Sequence, residues 1–173
     1  MSRNIEAMKE FSEHFSDNFE KIGIYIKNPS ALFLDRDGVI IKDVGYISSP
    51  TEVVLEDGLL SLLKGAFDKK LPVIVVTNQS GISRGFYSWE EFHQVNKRMF
   101  DLIGKPNPII AIYANSHLNL TSTNWRKPNP YMIFESSKKY NINLKKSILI
   151  GDRISDMQAG LSSGVANLIH VET

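Results

Sequence analysis

Five short apolar runs alternate along this chain with segments of helical periodicity. The runs are rich in β-branched or aliphatic residues and lie at 31–35, 72–77, 108–114, 147–152 and, more weakly, 166–171. The segments with helical spacing lie at 56–70, 88–103, 129–140 and 154–163. This alternation predicts an α/β fold in which a parallel sheet is covered by helices on both faces. Ligands of such sheets bind at the carboxyl ends of the strands.

The first 29 residues stand apart from this alternation. Apolar residues recur there at steps of three and four, which predicts one amphipathic helix. The stripe consists of Ile5, Met8, Phe11, Phe15, Phe19 and Ile22. We therefore expect an N-terminal helical extension over 1–29 and one α/β domain over 30–173. The helix either packs on its own domain or forms a homodimer contact, so we expect a monomer or a homodimer.

Composition excludes several classes of partner and chemistry. With 20 Lys and Arg against 19 Asp and Glu, the net charge of +1 offers no electrostatic attraction to nucleic acid or to an anionic membrane. The absence of cysteine excludes disulfides, thiolate nucleophiles and cysteine-ligated zinc. No apolar run reaches the roughly 18 residues of a spanning helix, and no signal-peptide pattern opens the chain. We expect a cytoplasmic protein with a small-molecule partner.

Polar residues follow three of the predicted strands. Asp35 and Asp37 end the first strand, Thr77 and Asn78 end the second, and Asp152 ends the fourth. Each group alone is compatible with an ordinary turn, but together they converge at the edge of the sheet where ligands bind. Asp35 and Asp152 supply hard oxygen ligands suited to Mg²⁺, and a carboxylate can also act as a nucleophile toward phosphorus.

Two further segments suit an anionic ligand. Arg126 and Lys127 precede a predicted helix, where they are either a solvated surface pair or a clamp for a phosphoryl group. Gly81 and Gly85 allow the backbone to approach an anion closely. With the carboxylates at the strand ends, these segments favour phosphoryl transfer.

Four motifs carry a resemblance to a known superfamily. They are "LDRDGV", "VVTNQSG", "RKPNP" and "GDRISDMQAG". Together they resemble the haloacid dehalogenase (HAD) superfamily of aspartyl-phosphate phosphatases. More narrowly, "TNQSGISRG" with "RKPNP" is similar to the branch of the heptose-1,7-bisphosphate 7-phosphatases and histidinol-phosphate phosphatases. The resemblance implies a three-layer, Rossmann-like parallel sheet, and the short segments between strands leave room for a minimal cap or none.

The resemblance also implies a role for each matching residue. Asp35 would be the nucleophile and Asp37 the general acid and then base, while Thr77, Arg126 and Lys127 steady the phosphoryl group. Mg²⁺ would lie between Asp35, the backbone carbonyl of Asp37 and Asp152, with Asp156 in support. The substrate pocket would be formed by Asp43, Val44, Gly45, Tyr46, Asn78, Gln79, Ser80, Arg126 and Arg153. Arg153 stands where the superfamily usually has lysine, a change of shape at constant charge.

The chain departs from the branch in one loop. Members often carry a zinc loop, Cys-x-His followed by Cys-x-Cys, directly before the Arg-Lys-Pro element. The matching positions here hold Ala114, Ser116, Thr123 and Trp125, none of which binds zinc. His117 alone cannot form a structural site, so no zinc is expected.

The sequence therefore predicts a Mg²⁺-dependent phosphomonoesterase that acts through an aspartyl-phosphate. The expected substrate is a small phosphorylated metabolite, in the first place a sugar phosphate such as heptose 1,7-bisphosphate. Histidinol phosphate and the terminal phosphate of a nucleotide or nucleic acid are alternatives. A catalytically silent binding module that uses the Phe15 and Phe19 helix is the alternative from another class.

Overall fold

The structure is a computed structural model that describes residues 27–172 and the backbone of Met8–Phe11. Six strands form one sheet: β1 (Met8–Phe11), β2 (Leu32–Leu34), β3 (Val73–Asn78), β4 (Ile109–Asn115), β5 (Ile148–Gly151) and β6 (Asn167–His170). Their order across the sheet is β1-β4-β3-β2-β5-β6. Strands β2 to β6 pair in parallel, as the alternation predicted, whereas β1 runs antiparallel to β4.

Within the part of the chain that the structure describes, five α-helices connect or follow these strands. They are α1 (Leu59–Asp68), α2 (Ser80–Ser83), α3 (Trp89–Ile103), α4 (Tyr131–Tyr140) and α5 (Ile154–Ser163), with short 3-10 helices at Pro50–Glu52 and Leu144–Lys146. Helix α3 begins with a capping box, in which Ser88 Oγ accepts from the Glu91 amide and the Glu91 carboxylate accepts from the Ser88 amide. The four segments with helical spacing are thus confirmed as α1, α3, α4 and α5.

The core has two halves because successive side chains of a strand point to opposite faces of the sheet. On one face, Leu34 and Val75 pack with Leu63 of α1 and Met99 of α3. On the other face, side chains of β2 and β3 pack with side chains of α4 and α5. This half of the core includes Phe33, Ile74, Val76, Met132, Ile133 and Ala159. Helices therefore cover both faces, and the three-layer arrangement is confirmed.

The predicted N-terminal helix is wrong for the four residues of that segment that the structure describes. Met8–Phe11 is a strand whose residues Met8 to Phe11 pair with Asn115 to Ile112 of β4. Without this partner, β4 would be an edge strand with unpaired backbone N–H and C=O groups. Hydrogen bonding to these groups favours a strand at Met8–Phe11 more than the spacing of its side chains favours a helix. The rest of the predicted stripe, Ile5, Phe15, Phe19 and Ile22, lies outside the described residues.

The connection from β2 to α1 folds back onto the sheet instead of forming a separate cap. Ile41 forms isolated bridges with Asp37 and with Leu55, and both Ile40 and Ile41 are buried. This segment therefore brings residues 43–46 to the rim of the strand ends. Within residues 27–172 and 8–11, no helix has the length and apolar character needed to cross a bilayer.

Candidate active site

One buried lysine joins the carboxylates at the ends of β2 and β5. Lys127 Nζ lies 2.9 Å from Asp35 Oδ2 and 2.6 Å from Asp156 Oδ1. Asp35 follows β2, Asp156 lies in the first turn of α5, and Lys127 precedes α4. Because all three side chains are buried, their charges interact through a medium that screens them weakly. The motifs of the sequence are thus brought together at the carboxyl edge of the sheet.

Strand β3 fixes the position of this lysine. The Lys127 amide donates to Asn78 Oδ1 over 3.0 Å, and Asn78 Nδ2 donates to the Lys127 carbonyl over 3.1 Å. Lys127 Nζ also donates to the Val76 carbonyl over 2.8 Å. We expected Asn78 to contact the substrate, but its amide is used to hold the backbone of Lys127. The ammonium group is therefore positioned by backbone and side chain together.

Burial and charge shift the pKa values in this cluster. Burial raises the pKa of Asp35 to about 6, with further upward contributions from Asp156 and Asp37, although the charge of Lys127 opposes the shift. Burial acts to lower the pKa of Lys127, but the charges of Asp35 and Asp156 outweigh it and raise that pKa. Burial also raises the pKa of Asp152. The three carboxylates Asp35, Asp152 and Asp156 thus outnumber the two cations that contact them, the buried Lys127 and the largely exposed Arg153.

The carboxylates fit a hard divalent cation. Asp35, Asp152 and Asp156 each place an oxygen within 4.8 Å of the others. Oδ1 of Asp152 is buried and has no hydrogen-bond partner among the described residues. Asp156 is already engaged, since its Oδ1 pairs with Lys127 and its Oδ2 accepts from the Arg153 amide over 3.0 Å. An unpartnered oxygen beside Asp35 in an all-oxygen donor set suits Mg²⁺.

Asp37 lies in a separate hydrogen-bond network on the β3 side. Arg36 Nη2 is 2.9 Å from Asp37 Oδ1, and Gln79 Nε2 donates to Asp37 Oδ2 over 2.7 Å. The same Gln79 nitrogen donates to Thr77 Oγ1 over 2.9 Å. Gln79 is only 2% exposed, so it lies beneath the pocket in which we expected it. Thr77 is also fully buried, and its hydroxyl contacts this network.

Arg36, Tyr87 and Asn96 belong to this network but carried no predicted role. The Arg36 side chain is 1% exposed, stacks its guanidinium 4.9 Å from the Phe92 ring centre and donates to Asn96 over 3.4 Å. Arg36 had one sequence signal, a charged residue between two aspartates at the end of a buried strand. Tyr87 and Asn96 had none, because they approach the site only through the packing of α3 and the turn before it.

The rim of the site carries arginines and exposed aromatic side chains. Arg153 Nη2 pairs with Asp43 Oδ2 at 2.8 Å, so two predicted pocket residues contact each other. Burial, together with the nearby charges of Arg84 and Arg153, lowers the pKa of Arg126. Tyr46 packs edge-to-face on Phe86 at 4.6 Å, and both side chains are about half exposed. Arg84 and Phe86 lie near predicted rim residues without having been predicted themselves.

The loop at the zinc-loop position is held by amide side chains. Asn124 Nδ2 donates to the Asn119 carbonyl, and Asn129 Nδ2 donates to the Thr121 carbonyl, both over 2.6 Å. Trp125 stacks on Tyr113 instead of facing a ligand. Arg126 Nη1 donates to the His117 carbonyl over 3.1 Å, which ties the arginine to this loop. A cavity of about 380 Å³ lies here, lined by Leu118 and by polar residues that include Ser83, His117, Thr121 and Thr123.

Comparison with known proteins identifies the family of this chain. A family model described as HAD-hydrolase-like matches residues 124–173. A D-glycero-β-D-manno-heptose-1,7-bisphosphate 7-phosphatase of Mesorhizobium japonicum is 38% identical over 157 residues, which cover 85% of this chain and 72% of that protein. A D-glycero-α-D-manno-heptose-1,7-bisphosphate 7-phosphatase of Burkholderia mallei is 37% identical over 147 residues, which cover 80% of this chain and 78% of that protein.

A solved structure shares the same architecture. The D,D-heptose 1,7-bisphosphate phosphatase of B. bronchiseptica, complexed with magnesium and phosphate, superposes with a TM-score of 0.75 at 27% identity, covering 81% of this chain and 79% of that one. The fold and the motifs that position Asp35 and Lys127 thus agree with the sequence similarity. The chain belongs to the heptose-bisphosphate phosphatase family of haloacid dehalogenase-like hydrolases, enzymes that act on phosphomonoesters.

Proposed function

We propose that this protein is a Mg²⁺-dependent sugar-phosphate phosphatase that works through a phosphorylated Asp35. The observation that carries the proposal is the buried Lys127, which pairs with Asp35 beside the unpartnered oxygen of Asp152. A structural ion pair does not need a third carboxylate, and the excess negative charge is balanced when a cation binds. The presence of the paired Asp35 and Lys127 together with Asp152 also argues against a catalytically silent binding module.

The reaction has two halves in this proposal. An oxygen of Asp35 attacks phosphorus, the bond from phosphorus to the leaving oxygen breaks, and Asp37 gives that oxygen a proton. Water then attacks the phosphorus of the aspartyl-phosphate, Asp37 takes one of the protons of that water, and the bond from phosphorus to the Asp35 oxygen breaks. Inorganic phosphate leaves, and both aspartates return to their starting states.

The surrounding residues supply positive charge and donors. Lys127 and the hydroxyl of Thr77 are assigned to the phosphoryl oxygens, whose negative charge they stabilise. Asp35, Asp152 and the backbone carbonyl of Asp37 would hold Mg²⁺, which supplies further positive charge beside the phosphoryl group. Asp156 keeps Lys127 in place and charged.

The rim supports a substrate that carries a second anionic group. The charges of Arg84 and Arg153 both act on Arg126, and Arg153 pairs with Asp43 and Asp152, whereas no carboxylate of the described residues pairs with Arg84 or Arg126. The cavity beside Arg126 combines apolar surface with hydrogen-bonding groups, among them Thr121, Thr123 and Asn124, which a polyhydroxylated leaving group could use. A sugar bisphosphate such as heptose 1,7-bisphosphate provides both features. We propose this class of substrate in preference to histidinol phosphate or a nucleotide.

A substrate panel tests the proposal. Phosphate release is measured from both anomers of heptose 1,7-bisphosphate, other sugar phosphates, histidinol phosphate, nucleotides and 4-nitrophenyl phosphate, with Mg²⁺ or EDTA. We expect Mg²⁺-dependent release from the heptose bisphosphates and none from Asp35→Asn. Turnover confined to histidinol phosphate or nucleotides would contradict the proposed substrate class. No turnover of any compound in the panel would contradict the proposal that the protein is a phosphatase.

The second anionic site is tested with Arg126→Met. We expect the variant to raise KM for heptose 1,7-bisphosphate about tenfold, a loss of roughly 1.4 kcal/mol of binding. KM for a monophosphate should change little, because it lacks the second group. Arg98→Met, on the exposed face of α3, is the matched control. Equal effects on both substrates would contradict the second site.

A further inference from the structure

We propose that Gln79 is a positioning residue that holds both the general acid Asp37 and the hydroxyl of Thr77, and that Tyr87 and Arg36 fix its orientation. The inference rests on the proposed function. Gln79 makes four hydrogen bonds: Nε2 donates to Asp37 and Thr77, and Oε1 accepts from Arg36 over 3.0 Å and from Tyr87 over 2.5 Å. A primary amide has two N–H groups and two lone pairs, so this complement is full.

The chemistry of the neighbours permits only one orientation of the amide. Arg36 has donors alone, so Oε1 must face it, and the Tyr87 hydroxyl donates to the same oxygen. Nε2 must then face the Asp37 carboxylate. A flipped amide would place N–H against the guanidinium and oxygen against the carboxylate. Tyr87 and Arg36 therefore determine which groups accept the two hydrogen bonds that Gln79 Nε2 donates.

The same network surrounds the Asp37 carboxylate with donors. Arg36 Nε lies 3.1 Å from Oδ1, Arg36 Nη2 is shared between both oxygens at 2.9 and 3.1 Å, and Gln79 Nε2 lies 2.7 Å from Oδ2. Each oxygen thus has two donor contacts, and a proton on Asp37 takes the place of one half of the shared Arg36 contact. The side chain is 17% exposed, which leaves the carboxylate accessible to a leaving group.

The bond to Thr77 has a consequence of its own. Because Oγ1 of Thr77 accepts from Gln79, its hydroxyl proton points elsewhere and is free to be donated to a phosphoryl oxygen. One amide thus aligns the group that protonates the leaving oxygen and a group that binds the phosphoryl group. Only the first of these functions depends on the leaving group.

That difference provides a readout that a merely structural role would not move. A sugar alkoxide is a poor leaving group and needs a proton from Asp37, whereas 4-nitrophenolate leaves readily without one. The ratio of kcat/KM for the sugar phosphate to kcat/KM for 4-nitrophenyl phosphate therefore reports on the general acid. Both kcat/KM values are measured on the same protein sample, so a loss of folded protein lowers them equally and does not change their ratio.

The experiment measures this ratio for wild type, Gln79→Met, Tyr87→Phe and Asp37→Asn, with the best sugar phosphate of the panel. We expect Gln79→Met to lower the ratio about 10- to 100-fold, part of the 10²–10⁴ that a general acid contributes, and Tyr87→Phe to lower it less. Adding Gln79→Met to Asp37→Asn should lower the ratio no further, because the two residues act as one unit. Gln94→Met, an exposed glutamine on α3, is the matched control.

Two results would overturn the inference while leaving the proposed function intact. An equal fall in kcat/KM for both substrates in Gln79→Met and in Tyr87→Phe would mean that these residues support the fold or the phosphoryl site alone. An unchanged ratio with unchanged activity would show that the network has no part in the reaction. If wild type hydrolyses neither substrate, the proposed function fails, and this inference fails with it.

Discussion

At the scale of single residues, the site brings together carboxylates that repel one another when no cation is bound. Asp35, Asp152 and Asp156 lie together with only Lys127 buried among them as a cation. Burial raises the pKa of Asp35 and of Asp152, so the ionised forms that bind a metal are disfavoured in the metal-free protein. Such an arrangement is stable only because the rest of the fold supports it.

The raised pKa of Asp35 leads to a prediction about stability and pH. Its native value of about 6 exceeds the ordinary 3.8, so the metal-free native state binds this proton more tightly than the unfolded chain. The stability associated with this proton is fully present below about pH 3.8 and is lost as pH rises through about 6. Asp35→Asn carries a neutral side chain and should escape this loss. In EDTA we expect its Tm to exceed that of wild type at pH 7.5, and by less at pH 5.

Thermal unfolding with and without Mg²⁺ checks this prediction. A gain of 1 kcal/mol corresponds to roughly 2–4 °C in a domain of this size. Mg²⁺ should raise the Tm of wild type and leave that of Asp35→Asn unchanged. Asp101→Asn, an exposed position in α3, controls for the loss of a charge. A lower Tm for Asp35→Asn in EDTA at pH 7.5 would contradict the account.

At the scale of elements, the junction of β5 and α5 is packed against the site. Gly151 ends β5, and a Cβ built there would lie 2.6 Å from Cγ and Oδ2 of Asp156. Asp156 is buried and paired with Lys127, so it has little room to move. The glycine is thus required for space and not for an unusual backbone angle.

Gly151→Ala should therefore damage both the fold and the site. We expect a loss of about 1–3 kcal/mol in the free energy of unfolding, typical of an overpacked core, and a fall in kcat/KM of more than about tenfold. Gly65→Ala in α1 is the control, because its Cβ meets nothing within 4 Å, and it should stabilise by about 0.5–1 kcal/mol. Urea unfolding and 4-nitrophenyl phosphate hydrolysis measure the two effects. Wild-type values for Gly151→Ala would refute this view of the junction.

Elements were predicted well where the pattern itself determines them. Apolar runs and helical spacing located strands β2 to β6 and helices α1, α3, α4 and α5, since burial on two faces leaves that signature. Met8–Phe11 was misread because its partner, the edge of β4, lies about a hundred residues away in sequence and leaves no local trace. Edge pairing is a property of the assembled sheet.

At the scale of the whole molecule, topology explains how much of the site could be predicted. Parallel strands share one carboxyl edge, so Asp35 and Asp152 could be expected to meet even though more than a hundred residues separate them. Tyr87, a partner of Gln79, and Asn96, a partner of Arg36, could not be expected there, because both reach the network through side-chain packing. Gln79 and Asn78 were expected to line the substrate pocket, which stays a prediction, and their hydrogen bonds to Asp37 and to the Lys127 backbone are seen only in the structure.

The most direct test of the central claim is a burst measurement on Asp37→Asn with 4-nitrophenyl phosphate and Mg²⁺. This substrate can phosphorylate Asp35 without a general acid, but breakdown of the aspartyl-phosphate lacks its base, so the intermediate should accumulate. We predict a rapid release of about one nitrophenolate per protein followed by slow turnover, and no burst from Asp35→Asn. Linear release from Asp37→Asn together with residual turnover by Asp35→Asn would contradict a phosphorylated Asp35.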